Sequence, residues 1–527
     1  MDNRGFAADW YGRSMPPPPQ PGYEYSRRPE RDDRYNKRRR ESSSSSSSDS
    51  RARWSVEIPP DGGMWAWVVV LAAALLHVCS ELVYFVFYDT IVINKYRNLR
   101  LAGLGKTPTD FYGEFMVFEN VRFTGEIVAA FFSVFIGYRV VAAAGAFCVL
   151  GGFLGASFVA PSEEIELVGF LVGFLGGIGV SFWRFAAYVA VMEYFRRHRM
   201  AAIILSGMGR VVGIFAGYGI LARPLEQLWP DSDATETDIT DMTSWKVYYR
   251  CQCAMAGVAF VAALFIRPLS LATARRGDGC EVFLRVRDTR VCRGGMLIFL
   301  LFVYFIYYFG ESLPATELVD WLFKEGFSGE HTLGILFALA SGVLLGYLLL
   351  IFWPKKKKFY DTMLWLGLLC LLMGLLTLQL PVFTAPYTSY LCTYTIVFAA
   401  SQVMFESILR YVIPIAFGRQ YIRWVEGLLG LAAGGATIAN NFIAKELRKK
   451  DGGVDNVYYF AGAAFLAAGV LAVVTMQIIL CFKFKDRNHE KESVEPVIQE
   501  MSRNEELRAS RRDPSPAKNY LGYSYRA

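Results

Sequence analysis

The chain has 527 residues, of which 54% are hydrophobic, and its mean hydropathy is +0.28. A soluble domain cannot hide this much apolar surface, and the apolar residues are concentrated in long runs, so the composition predicts a polytopic membrane protein. The net charge of +7 does not indicate nucleic acid binding, because the basic residues lie in tails and short loops beside the apolar runs, where they set topology and face lipid.

The first 58 residues contain no apolar run. A proline run at 16–19, a basic cluster at 37–40 and a serine run at 42–48 cannot bury enough apolar area to offset chain entropy. Residues 1–58 are therefore predicted to be a disordered cytoplasmic tail rather than a cleaved secretory signal, and residues 483–527 are predicted to be a second disordered cytoplasmic tail.

Twelve stretches long enough to cross a bilayer, which takes about 20 residues per helix, follow in two sets of six. The first set is predicted at 64–90, 114–135, 140–160, 166–192, 200–222 and 247–267, and the second at 295–312, 331–353, 361–381, 388–417, 425–444 and 457–482.

Loop charges predict the orientation of these spans. Residues 268–294 contain six arginines and are predicted to be a cytoplasmic loop that joins an N-terminal six-helix bundle, 59–267, to a C-terminal one, 295–482. The acidic loop 231–241 falls on the opposite side, and the even number of spans places both termini in the cytoplasm. The predicted fold class is thus an all-α membrane protein with twelve transmembrane helices in two bundles.

An acidic turn with two glycines precedes the first span. Asp61, Gly62 and Gly63 start a helix where its amide groups are still unpaired. Trp65 and Trp67 favour the boundary between membrane and water. This pattern resembles the first-helix signature of the monocarboxylate transporter family, with one extra residue before the first tryptophan.

A second pattern joins the fourth and fifth spans and is similar to another motif of that family. Tyr194, Phe195, Arg197, Gly209 and Gly213 stand at matching positions. Glycines four residues apart let a neighbouring helix approach closely, so a packing seam explains them equally well.

The resemblance covers about residues 59–482 and implies the major facilitator fold, whose halves rock around a site near the middle of the bilayer. It also implies a multi-pass protein of the plasma membrane, without a cofactor, whose family often uses a single-span glycoprotein as a chaperone. The sequence leaves the need for such a partner open.

Charged side chains recur inside the predicted spans, where each costs about 3 kcal/mol on insertion scales and therefore needs a partner or a water-lined cavity. Glu119, Arg122 and Glu126 share one face of the second helix and can neutralise each other there. Glu406 and Arg410 are spaced as an i,i+4 pair in the tenth helix.

Two further arginines, Arg184 and Arg210, have no acid nearby in the sequence. Glu81 and Glu311 are their expected partners across the bundle. Glu81 is also a candidate proton carrier, because a carboxyl inside a helix bundle can exist in its neutral form. The candidate proton or ion-pair residues are Glu81, Glu119, Glu126, Glu311 and Glu406.

Arginine suits a carboxylate ligand because its planar fork donates two parallel hydrogen bonds. Arg184, Arg410 and Arg122 are the candidate substrate-binding arginines, with Tyr84 and Tyr88 as part of an apolar wall. The alternative, in which each arginine is held in a structural ion pair, stays open.

The resemblance fails at the residues that bind proton and carboxylate in proton-coupled members of the family. Their first-helix lysine and the Asp-Arg pair of the eighth helix have no counterpart here, since residues 333–352 carry no charge. Either the anion site has moved to another arginine or the substrate is not a small monocarboxylate.

The predicted function is secondary active or facilitative transport of a monocarboxylate or related small organic anion by alternating access, with proton coupling left open. The alternative is a transporter-like protein that acts as a sensor or binds a partner. An enzyme is not predicted, because the sequence has no phosphate-binding loop and no nucleophile-base arrangement. The nine cysteines form no metal-ligand pattern.

Overall fold

A computed structural model describes residues 63–102, 112–159, 165–228, 245–267, 296–353, 359–382, 388–449 and 454–474. The two predicted tails, the central loop 268–294, the acidic loop 231–241, and Asp61 and Gly62 lie outside these residues.

The described residues form twelve long helices in chain order. They are α1 Met64–Ala102, α2 Tyr112–Ile136, α3 Tyr138–Ala156, α4 (Ile165–Val168, a π-helical stretch Gly169–Gly176, and Gly177–Tyr194), α5 Arg199–Leu228, α6 Trp245–Phe265, α7 Met296–Lys324, α8 Gly329–Ile351, α9 Phe359–Gln379, α10 Thr388–Ala416, α11 Ile422–Arg448 and α12 Val454–Val474. Eleven of them are long and apolar enough to cross a membrane, and the remaining one is α2, which carries Glu119, Arg122 and Glu126 within about two turns.

Most predicted spans agree with these helices to within a few residues. Helix α1 is longer than the predicted 64–90, since it extends to Ala102, and α7 is much longer than the predicted 295–312. Its helix continues past Glu311 and through Pro314 to Lys324. The acids and the proline favoured an end at 312, yet a proline is tolerated within a membrane helix when neighbouring groups satisfy the freed backbone. Glu317 is buried beyond that point and pairs with Arg448 of α11.

Small residues bring pairs of helices into close contact. A Cβ atom added at Gly209 of α5 would lie 2.0 Å from the carbonyl oxygen of Ala74 in α1. Gly342 of α8 faces α10 in the same way, with the carbonyl oxygen of Ile396 at 2.4 Å. The predicted glycine seam is therefore a packing seam between α5 and α1.

Helices α1–α6 pack with one another. Smaller contacts of α4 with α10 and α11, and of α5 with α10, join them to α7–α12, and two long contacts dominate. Helix α2 runs along α11, and α5 runs along α8. Thr124 of α2 fits against Gly434 of α11, and Phe215 of α5 stacks on Phe337 of α8 with ring centroids 6.2 Å apart. These contacts leave a space between the two halves, bordered mainly by α1, α2, α5, α7, α8 and α10.

Candidate functional site

A cavity of about 90 Å³ lies between the two halves, towards the end where α1 stops and α2 begins. Its charged lining comes from both halves. The lining residues include Glu81, Tyr84, Phe85 and Tyr88 of α1, Glu119, Arg122 and Phe123 of α2, Arg210 and Tyr218 of α5, Glu311 and Ser312 of α7, and Tyr394, Phe398 and Gln402 of α10.

The fold thus brings together six residues that the sequence had singled out. Glu81, Tyr84, Tyr88, Glu119, Arg122 and Glu311 all line the cavity. Arg210, to which sequence reasoning gave no binding role, lines it as well. No acidic residue lies near Arg210 in the sequence, and this absence was the signal that its partner is on another helix.

A continuous series of ion pairs starts in this lining and crosses between the halves. Arg210 binds Glu81 of α1 at 3.0 Å and Glu406 of α10 at 2.8 Å. Arg410 then binds Glu406 at 3.2 Å and Glu426 of α11 at 3.0 Å. The structure confirms the predicted i,i+4 pair of Glu406 and Arg410, whereas Glu426 lies at the edge of a predicted span and was missed.

Arg410 and Arg184 do not line the cavity. The Arg410 guanidinium lies over the ring of Tyr188, 3.5 Å from its centroid. Arg184 is 2% exposed and lies 3.5 Å from Glu126, which is also outside the lining. Both arginines are therefore held in buried structural ion pairs, the alternative that the sequence had left open.

Arg122 does line the cavity and has the loosest ionic partner there. Its nearest carboxylate is Glu81, at 3.9 Å, and its Nε atom is buried without a hydrogen-bond partner. The guanidinium lies over the ring of Tyr84, 3.9 Å from the centroid. In the described residues, neither Glu119 nor Glu126 lies within ion-pair distance of Arg122, whose ionic contact is with Glu81 of another helix.

Glu311 and Gln402 connect α7 with α10 at the cavity wall, where the Gln402 amide donates a hydrogen bond to the Glu311 carboxylate. Tyr308, one turn earlier in α7, donates a hydrogen bond to Glu406 at 3.3 Å. Polar groups of α7 and α10 thus face each other at this wall.

The two family-like motifs meet away from the cavity. The ring of Trp67 packs against Phe195 with centroids 5.1 Å apart, and the Tyr194 hydroxyl donates a hydrogen bond to the carbonyl oxygen of Arg267. Trp65 and Arg197 are exposed. In the described residues these motifs organise the end of the first half that lies opposite the cavity.

That opposite end also carries an ion pair and hydrogen bonds between the halves. Arg423 of α11 makes two hydrogen bonds to the Glu193 carboxylate of α4, at 2.8 and 3.2 Å, and a third to the carbonyl oxygen of Ser133 in α2. Arg419 donates to the Glu193 carbonyl oxygen. We call these residues, Ser133, Glu193, Arg419 and Arg423, the inter-half clamp.

Solved structures of transport proteins are similar to this chain over most of its length. A proton:xylose symporter of the major facilitator superfamily has a TM-score of 0.53 at 15% identity, covering 79% of this chain and 96% of that chain. The fucose:proton symporter of E. coli has a TM-score of 0.51 at 14% identity, covering 77% and 98%. A POT family transporter in complex with a thioalcohol-conjugated peptide has a TM-score of 0.53 at 13% identity, covering 79% and 96%.

These similarities confirm the predicted major facilitator fold, with its two six-helix halves. No protein-family model matches the sequence, and no curated protein matches it either.

Proposed function

We propose that this protein is a secondary transporter that moves a monocarboxylate or related small organic anion across the plasma membrane by alternating access. In this proposal residues 59–267 and 295–482 are the moving halves, and the loop 268–294 and both tails are cytoplasmic. The major facilitator fold, the cavity between its halves and the distribution of loop charges support it.

The proposal that the solute is an anion depends on the environment of Arg122. Its guanidinium faces the cavity, its only ion pair in the described residues is the 3.9 Å contact with Glu81, and its Nε atom is unpartnered. A carboxylate bound there would accept charge-assisted hydrogen bonds in a partly desolvated site. Arg210 is a poorer candidate because Glu81 and Glu406 already occupy its donors.

Alternating access also needs contacts that form and break between the halves. The inter-half clamp supplies them at the end opposite the cavity. We propose that the clamp is made while the cavity is accessible from the outside and is broken when the cavity turns towards the cytoplasm.

The test is uptake of radiolabelled organic acids by cells that express the chain, with Arg122→Gln as the variant. We expect uptake to fall about tenfold or more, the equivalent of losing a hydrogen bond to a charged group. Glu81 keeps Arg210 as its partner in this variant, so surface abundance should be preserved.

Arg250→Gln is the matched control, because Arg250 is exposed on α6 and away from the cavity. Normal uptake by Arg122→Gln would reject the anion site. Specific acid binding without uptake by the wild-type chain would instead favour the sensor alternative. Faster uptake under an inward pH gradient would identify protons as the coupled ion.

A further inference from the structure

The charges buried around the cavity do not balance. Among the described residues, six carboxyl groups and four guanidinium groups lie on the helices at and below its lining. The carboxyls are Glu81, Glu119, Glu126, Glu311, Glu406 and Glu426, and the guanidiniums are Arg122, Arg184, Arg210 and Arg410.

Four of the six carboxyls have arginine partners. Glu81 and Glu406 share Arg210, Glu126 has Arg184, and Glu426 has Arg410, all within 3.5 Å. In the described part of the chain, Glu119 and Glu311 form no ion pair. These two are the surplus acids, and both line the cavity.

The surplus acids come from different halves, Glu119 from α2 and Glu311 from α7. Glu119 is only 6% exposed, so its carboxylate is largely removed from bulk water. A carboxylate without a cationic partner is costly in such a place. A simple anion bound at Arg122 would add negative charge to a cavity in which three carboxyl groups already face two arginines.

We propose that the transported solute is a zwitterion of the amino-acid type, whose carboxylate binds Arg122 and whose ammonium group binds Glu119 and Glu311. An ammonium group has three N–H donors, which two carboxylates from opposite halves can share. The inference rests on the proposed function, because it keeps Arg122 as the carboxylate contact.

Aromatic side chains fit the same ligand. Tyr394 and Phe398 line the cavity and provide ring faces that attract a cation and apolar walls for an uncharged side chain. Binding an ammonium group to both surplus acids also ties the two halves together through the solute.

The test uses three matched sets of probes on the purified full-length chain: alanine, propionate and ethylamine; 4-aminobutyrate, butyrate and butylamine; phenylalanine, 3-phenylpropionate and phenethylamine. Each probe is titrated while the thermal midpoint of unfolding is measured. In at least one set, we expect the zwitterion to raise the midpoint at lower concentration than either partial analogue does.

The variant Glu311→Gln should weaken zwitterion binding about tenfold or more, since one charged hydrogen bond is lost. Binding of the matching acid should not weaken, because the variant removes a negative charge from the cavity that the acid enters. Glu119→Gln should act in the same direction. The zwitterion and the acid are compared on the same variant, so the ratio of their affinities does not depend on the fraction of protein that folds. Glu446→Gln, an exposed carboxyl of α11, is the control.

The inference is overturned if the acids bind as tightly as the zwitterions in every set, or if no zwitterion raises the midpoint. It is also overturned if both variants weaken acid and zwitterion equally. Acid uptake that depends on Arg122 would still support the proposed function in each of these cases, so the two failures are distinguishable.

Discussion

At the scale of single residues, Arg410 illustrates how a buried charge can be mistaken for a ligand site. It neutralises Glu406 and Glu426 at once and lies over Tyr188. Arg410→Met would leave Glu426 as an uncompensated buried carboxylate, so we expect the folded state to lose about 3–5 kcal/mol. A lower thermal midpoint and reduced surface abundance would report this loss.

The second change that tests this explanation is Glu426→Gln. Combined with Arg410→Met it removes the orphaned charge, and we expect it to recover most of the lost stability, because Glu406 keeps Arg210. A stable Arg410→Met protein that no longer binds solute would contradict us and return Arg410 to the substrate site.

Sequence spacing could predict only part of this network. The pair of Glu406 and Arg410 lies within one helix, where a spacing of four residues places two side chains on the same face. The bonds from Arg210 to Glu81 and Glu406 depend on how α5 packs between α1 and α10. A single sequence carries no direct record of that packing, so the cavity and its surplus acids could not be predicted.

At the scale of helices, the contact between α1 and α5 depends on the absence of side chains. Gly209→Ala would place a Cβ atom 2.0 Å from the Ala74 carbonyl oxygen, and a backbone atom cannot move aside by changing rotamer. We expect the helices to separate and the thermal midpoint to fall, although alanine favours a helix by about 0.5–1 kcal/mol.

The matched control on the same helix is Gly219→Ala, because a Cβ atom there would have no neighbour within 4 Å. This variant should keep or raise the midpoint through helix propensity alone. Equal effects of the two substitutions would show that close packing at Gly209 is unimportant. The four-residue glycine spacing predicted a seam, but only the fold identifies α1 as the partner.

At the scale of the whole molecule, the inter-half clamp and the cavity lie at opposite ends, as the proposed alternating access requires of a state that is open on one side. Glu193→Gln removes the negative charge of the carboxylate to which Arg423 donates two hydrogen bonds. The halves should then part more often at the clamp. Ser133 can report this change, because it is fully buried and its carbonyl oxygen accepts a hydrogen bond from Arg423.

We therefore expect Ser133→Cys to react with a membrane-permeant maleimide about fivefold faster in the Glu193→Gln background, since a shift of about 1 kcal/mol changes an equilibrium by roughly that factor. Labelling of the wild-type and Glu193→Gln proteins without Ser133→Cys corrects for reaction at the native cysteines. Glu446→Gln, which removes an exposed carboxylate away from the clamp, is the control for loss of a negative charge. An unchanged reaction rate would mean that the clamp does not hold the halves together. A saturating solute that binds the acids of both halves should alter the same rate, which would link the cavity to the clamp through the movement of the halves.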